Sequence, residues 1–376
     1  MSRYRLVIGA DLSKDRPEIC YYDKTTKQSA AMPMKIGNIP VTFEGLVDGD
    51  GGNEDSVKMV TNLFREVFLT IGAEDIPRDV ACIMVTFPET SQSLLSLIRQ
   101  VFQNLEIPRS RAYVQDYKES FFYYMTYQRT ELWTRNAGLF SFRPDSVRFF
   151  RMSRGSVKNP RVIRTTETAP VPLDSDGFER DREFADYARK CMGNEIFSSI
   201  FITGDGFDET WADESKSFLC AKRRKVFTED SVFARGACNA AREKSGVQRL
   251  SGLTYVSDSL VPFNIGMNME SGGKVSVYPL ITGGAHWYNT VCDCEFLLGS
   301  EKKLTFQISG VETGGKFLKT MELSGLPDRP PRTTRLHLHI EFTGKNCCEA
   351  TVTDLGFGEI FPSSGKVWTE VLGDFE

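Results

Sequence analysis

The sequence predicts an α/β domain with a largely buried sheet, followed by an all-β sandwich. Three observations carry this expectation. Apolar strands alternate with amphipathic helices over roughly the first two-thirds of the chain, the pattern of a layered α/β fold. The buried strand Ile200-Phe201-Ile202 runs straight into Thr203-Gly204-Asp205-Gly206, a glycine turn at a strand end, where open α/β sheets gather ligands. From about Gly246 the helical periodicity stops, and short alternating runs separated by Gly- and Pro-bearing turns take over.

The elements follow in chain order. Residues 4–22 read as a hairpin, R-L-V-I-G-A-D-L, a polar turn at Ser13-Lys14-Asp15-Arg16-Pro17, then E-I-C-Y-Y-D. Val57, Val60, Leu63, Phe64, Val67 and Phe68 recur at helical spacing over 53–72, with Asn53 or Asp55 as cap. A strand over 80–87 ends at Pro88, a second amphipathic helix spans 90–105, Tyr113-Val114 is a brief strand, and 115–125 is an aromatic-rich helix. A second hairpin over 137–152 turns at Arg143-Pro144-Asp145 and leads to a third strand at 161–167. Helices follow at 178–191, 211–220 and 231–242, with a short strand at 225–227. The last helix carries Ala234, Gly236, Ala237, Ala240 and Ala241, so one face is bare enough for another helix or a ligand to come close. Asp205 and Asp208 read as caps of the helix that starts near Glu209 rather than as an acid pair. Strands of the all-β part fall at 274–281, 292–298, 303–309, 316–323, 335–342 and 349–354. Trp287 and Tyr288 read as core aromatics, with a binding edge as the other use.

Composition excludes several classes. With 376 residues, 40% hydrophobic and 26% charged, the chain is neither disordered nor fibrous. A net charge of −4 and a pI near 5.7 supply no basic field for nucleic acid or anionic lipid, although Lys222-Arg223-Arg224-Lys225 is a local basic run. No stretch reaches the ~18 apolar residues of a membrane span and no apolar leader precedes the first strand, so the expectation is a cytoplasmic protein. Nine cysteines without paired CxxC spacing fit free thiols in a reducing compartment. Cys292-Asp293-Cys294 and His337-Leu338-His339 each put two ligand types on one strand face; adjacent strands would assemble a zinc set, and free thiols with surface imidazoles are the other reading.

Two hairpins, each opening an α/β half, together with the late Gly-Asp-Gly turn, resemble the actin and DnaK-type chaperone superfamily. The resemblance implies a duplicated, ribonuclease-H-like nucleotide-binding domain over 1–250, with halves of about 1–130 and 131–250, and a peptide-binding-like β-sandwich over 258–376. It implies ATP or ADP with magnesium in the cleft. Gly9, Asp11, Leu12, Ser13 and Lys14 would form the first phosphate loop, with Asp11 holding the metal through water, and Ser141 would stand in the second loop. Gln115 and Asp116 would position the attacking water, Gly204, Asp205, Gly206 and Phe207 would face adenosine, and Gly236 would belong to a hinge helix. The sandwich is matched through Val261-Pro262-Phe263-Asn264-Ile265-Gly266, the stretch from Glu322 to Arg332, and A-T-V-T-D ending at Asp354.

Departures from that pattern shape the functional expectation. Asp15 and Pro17 replace glycines and hydroxyls in the first loop, Ser141 replaces the second aspartate, and Phe142-Arg143-Pro144 blocks the backbone approach to a phosphate. The segment between Glu167 and Ile200 is too short for the chaperones' lobe over adenine, and no helical lid follows the β-region. The expectation is a DnaK-like protein with a degenerate ATP site that binds a protein or peptide partner through the sandwich, with weak or no hydrolysis. The alternatives are an active ATP-dependent chaperone-like ATPase and a filament-forming actin-like protein.

Overall fold

Leu6–Asp11 is an apolar run buried at every position, as a strand covered on both faces must be, and it forms the centre of the first sheet. The computed structural model describes residues 4–12, 17–36, 39–40, 54–88, 92–158, 161–248, 250–257, 259–311, 315–343 and 347–374. The chain divides into two units, Met1–Ser257 and Asp258–Glu376.

In the first unit, β1 (Leu6–Asp11), β2 (Glu18–Asp23) and β3 (Gln28–Pro33) form an antiparallel meander, followed by the small ribbon β4 (Lys35–Ile36) and β5 (Ile39–Pro40). Then come α1 (Glu54–Thr70), the short α2 (Ile76–Asp79), β6 (Val80–Phe87), α3 (Gln92–Asn104), β7 (Ala112–Asp116) and α4 (Tyr117–Thr126). The second half repeats the wiring: β8 (Asn136–Arg143), β9 (Ser146–Lys158), β10 (Arg161–Glu167), the short β11 (Val171–Pro172), α5 (Gly177–Met192), β12 (Phe197–Thr203), α6 (Asp213–Cys220), β13 (Lys225–Thr228) and α7 (Val232–Lys244), with β14 (Leu253–Val256) added at the edge. The sheets are ordered β3-β2-β1-β6-β7 and β13-β12-β8-β9-β10-β14, so each half sets its meander beside two parallel strands in the same order. This duplication is the actin-like α/β architecture.

The halves are joined by exchanging their last helices. α1 and α3 cover one face of the first sheet through Val60, Phe64, Phe68, Ile98 and Val101. The other face receives α7 of the second half, whose Ala237, Ala240 and Ala241 pack on Val7 and Met84. Reciprocally, α4 lays Phe121, Phe122 and Met125 on Phe150, Met152, Ile163 and Phe201 of the second sheet. α4 and α7 also meet each other, and glycine makes both approaches possible. A Cβ on Gly236 would overlap the Ser120 backbone of α4, and one on Gly9 would overlap the α7 backbone at Ala234, Ala237 and Cys238.

Three local expectations are corrected. β3 completes the first meander, which the sequence suggested only as a hairpin. β7 runs through Asp116, so Gln115 and Asp116 lie at a strand end and the helix begins at Tyr117. α6 begins at Asp213; Asp208 closes a local turn onto Thr210 N (2.8 Å), and the first-turn N–H groups of α6 go to Asp181 of α5, at 2.7 Å from Glu214 N and 2.9 Å from Ser215 N.

The second unit is all-β: β15 (Phe263–Ser271), β16 (Lys274–Ile281), β17 (Val291–Leu297), β18 (Lys303–Gly310), β19 (Lys316–Glu322), β20 (Arg335–Phe342), β21 (Cys347–Gly356) and β22 (Val367–Asp374). The orders are β16-β15-β18-β19 and β17-β20-β21-β22. One hydrophobic cluster draws on both sheets, from Phe263, Ile265, Phe306 and Ile308 to Leu338, Ile340 and Val352, and the Phe263 and Phe342 rings stack 5.8 Å apart. Tyr288 is buried and Trp287 packs against this core. Arg329 and Asp354 form a buried two-pronged pair at 3.0 Å, and the Arg329 and Ser364 donors hold the Asp354 carboxyl well below the usual carboxylate range despite its burial.

Candidate functional site

The carboxyl ends of β1, β8 and β12 open onto one cavity of about 90 Å³, with the start of α7 on its far side. Asp11, at the end of β1, lines it. Glu18, the register partner of Asp11 across the first hairpin, lines it too. Ser141 and Arg143 come from the second hairpin, Thr203 from the end of β12, Gly204 and Asp205 from the turn after it, and Asp230 and Phe233 from around the start of α7. The described lining thus carries the carboxylates of Asp11, Glu18, Asp205 and Asp230, with Arg143 as its one basic residue.

An aromatic pair forms one wall. Tyr117, the first residue of α4, donates its hydroxyl to Asp11 Oδ1 at 2.7 Å. Its ring lies flat on Phe233 with centroids 3.7 Å apart, and Phe150 stands 6.4 Å away. The side chain therefore ties the first half's acid to both exchanged helices.

The second hairpin and the glycine turn are locked together beneath the cavity. A Cβ on Gly204 (φ +93°) would overlap Phe142 O, and one on Gly206 (φ +123°) would overlap Arg143 O. Arg180 bonds the carbonyls of Asp174 (3.0 Å), Gly206 (3.0 Å) and Arg143 (3.4 Å). Phe207 turns away into a cluster with Phe142, Phe184 and Trp211.

The structure brings Asp11, Ser141, Gly204 and Asp205 together and places the other described site residues outside the lining. Leu12 is core, its N–H bonded to Thr86 O at 3.1 Å, and Gly9 and Gly236 serve helix packing. Ser13 and Lys14 lie outside the described residues. Gln115 is fully buried, its Nε2 donating to Ser120 Oγ at 2.7 Å, while Ser120 Oγ also meets Thr86 Oγ1 at 2.7 Å. Asp116 caps α4 by accepting from Glu119 N at 2.8 Å and faces Lys118 at 3.7 Å. Lys118 reaches on to Glu167 at 3.2 Å, and Arg148 joins the same carboxylate at 2.9 Å. Burial raises the Glu167 pKa against the pull of these two cations. Sequence reasoning passed over Tyr117 and Glu18 as lining residues. An acid on each side of one hairpin turn was the available signal for Glu18.

The structure decides between a zinc set and free thiols with surface imidazoles. β17 and β20 are neighbours, but Asp293 opposes His339 and Cys294 opposes Leu338. Cys292 and Cys294 therefore face the core, whereas His337 and His339 face outward and both bond Asp293, the latter at 2.8 Å. Burial pushes the Cys292 thiol up to about 12. Among the described residues no group of three or more His, Cys, Asp or Glu side chains is arranged to hold a metal.

Residues 44–258 match a family model described as a family of unknown function, DUF5716, C-terminal, which takes in more than half of the chain. The chain belongs to the DUF5716 family. Residues 260–373 of this DUF5716 chain match a domain of unknown function, DUF8552. No curated protein matches it. Among solved structures it is similar to an inorganic polyphosphate/ATP-glucomannokinase from Arthrobacter sp. strain KM, at 12% identity over 66% of this chain and 100% of that one, with a TM-score of 0.42. It is also similar to the ethanolamine utilization protein EutJ from Carboxydothermus hydrogenoformans, at 12% identity, 63% and 89% coverage and a TM-score of 0.36. A third is a protein of actin-like ATPase fold and unknown function from Bacteroides thetaiotaomicron, at 11% identity, 62% and 95% coverage and a TM-score of 0.36. Among the described residues of the DUF5716 chain, no helix is long and apolar enough to cross a membrane.

Proposed function

We propose that this chain is a binding protein rather than an ATP hydrolase: its actin-like unit has a degenerate nucleotide site, and its all-β unit holds a protein or peptide partner, as the resemblance to DnaK-type chaperones implies. The observation that carries the reading is the cleft. Its cavity of about 90 Å³ is well short of the roughly 300–1,000 Å³ of small-molecule sites. Tyr117 and Phe233 take up one wall, acidic residues outnumber basic ones on the described lining, and Gln115 is committed to Ser120.

One feature favours the alternative, an ATPase. The first turn of α7 and the turn after β12 both face the cavity, and backbone N–H groups there suit a phosphate. Calorimetry with ATP or ADP and magnesium, alongside thermal unfolding, separates the two. We expect no heat and no shift at millimolar nucleotide. Magnesium-dependent turnover that falls in Asp11→Ala overturns the proposal.

For the partner, support comes from a groove of about 540 Å³ in the second unit, floored by Gly266 and Gln307 and flanked by Val277 and Pro279 of the edge strand β16 and by Phe317 and Leu318 of the edge strand β19. Val275 (69%) and Leu318 (68%) are largely exposed on those edges, an arrangement suited to an added strand. Fluorescence polarisation with extended apolar peptides should detect binding that Leu318→Asp weakens at least tenfold; peptides that bind both proteins equally, or neither, would count against it.

A further inference from the structure

We infer that one end of the second half's sheet is a binding site for a small oxyanion, a phosphate or carboxylate group, built on Arg154. The site is separate from the cleft and does not depend on how the cleft is read.

Arg154 lies on β9, in register with Ile163 of β10. Its guanidinium sits over the ring of buried Trp133, 4.8 Å from the centroid. Its Nε and Nη2 are shut off from solvent and have no hydrogen-bond acceptor, and Trp133 Nε1 is in the same condition. The charges acting on Arg154 are those of Arg161 and Arg135, both of its own sign. None of these three guanidiniums forms an ion pair among the described residues. Burial first, and then these two neighbours, pull the Arg154 pKa below its ordinary value.

This departs from how the chain treats Arg180 and Arg329. Arg180 hands its guanidinium donors to three carbonyls, and Arg329 gives both prongs to Asp354. A half-buried cation with two covered, unmet donors beside like charges carries a cost, and a bound anion removes it. The unmet pair, Nε and Nη2, is the side-on edge of the guanidinium, whose parallel N–H groups fit two oxygens of a carboxylate or phosphate. Arg135 is exposed and Arg161 half-buried, so the cluster reaches the surface. Because the edge is covered without ligand, binding requires the side chains there to shift.

The test is thermal unfolding of the full chain in sodium phosphate, sodium acetate and sodium chloride at matched pH and ionic strength. We expect phosphate or acetate to raise the Tm over chloride by about 3 °C or more once the anion is well above its Kd. The anion that acts identifies the group recognised. Arg154→Met should abolish the shift while matching or exceeding the wild-type Tm in chloride, since it removes a half-buried charge with two unmet donors. Asp11→Asn should keep the shift, which separates this site from phosphate binding in the cleft. Should Arg154→Met fail to fold, the double variant Arg135→Gln/Arg161→Gln carries the same test with an affinity loss of at least tenfold expected. No anion-specific shift in the wild type, or an undiminished one in these variants, overturns the assignment.

Discussion

The two halves of the first unit share one wiring diagram and put different chemistry on it. The first half closes its hairpin with Asp11 and Glu18 facing the cavity, whereas the second presents Ser141 and the Arg143-Pro144 turn. Their last helices differ as sharply. α4 is aromatic and fills space on the opposite sheet through Phe121 and Phe122, while α7 is built of small residues and lies close on β1. Duplication therefore preserved the packing plan, and each half met it with a different allocation of bulk. The same comparison explains why two central-strand glycines are unequal. Gly9 faces the backbone of α7, which has no room to give. Gly138 on β8 faces the ends of the Ile200 and Phe149 side chains at 2.8 Å.

That inequality sets the largest expected effect. Gly9→Ala should cost roughly 3 kcal/mol or more by chemical denaturation, and Gly138→Ala about 1 kcal/mol, because side chains can shift where a helix backbone cannot. Equal costs would break the contrast between the halves. Next, Gln115→Leu removes the buried donor to Ser120 Oγ, which keeps only its bond to Thr86 Oγ1, and should cost about 1–2 kcal/mol. A loss of nucleotide turnover at unchanged stability would instead return Gln115 to a catalytic role. Tyr117→Phe removes the donor to Asp11 and should cost about 1–2 kcal/mol while leaving the stack on Phe233 intact.

The smallest effect lies in the second unit, which supplies a baseline without a duplicated partner. Hydrogen bonding to Asp293 raises the His339 pKa above 6.5, and the two histidines hold Asp293 below 3.8. A raised histidine stabilises fully below 6.5 and loses that contribution as pH rises through the folded value; a lowered aspartate contributes above 3.8 and loses it on acidification. Between about pH 4 and 6.5 the pair is therefore at full strength. Going from pH 6 to 8 should lower the unit's Tm by on the order of 1 °C, since both partners are solvent-accessible. Asp293→Asn should flatten that slope, and an unchanged slope would remove the pair from the account.

Much of the secondary structure was legible in the chain. Helices α1, α3 and α5 follow 3.6-residue periodicity, and the run 80–87 is a strand over the span its apolar content marks. β15 and β22 went unread although both alternate, because flanking turns alone do not say whether an alternating run finds a partner strand. Part of the candidate cavity was legible too. Asp11, Ser141, Gly204 and Asp205 stand at strand ends and turns, where chemistry can be inferred from position, whereas Tyr117 enters through Asp11 and Phe233, both far off in sequence.

What the sequence determined by itself is whatever depends on short separations: helical and strand periods, which face of β17 carries cysteine, and caps such as Asp176, which accepts from Phe178 N (3.1 Å) and Glu179 N (3.3 Å) of its own helix. Tertiary structure alone decided the exchange of α4 and α7, the capping of α6 by Asp181 of α5, the stacking of Tyr117 on Phe233, and the isolation of the Arg154 edge. The reason is physical. Periodicity records that a face is turned from water, but the free energy of burial is indifferent to which partner covers it. Only close packing and hydrogen-bond satisfaction across the whole chain choose the partner.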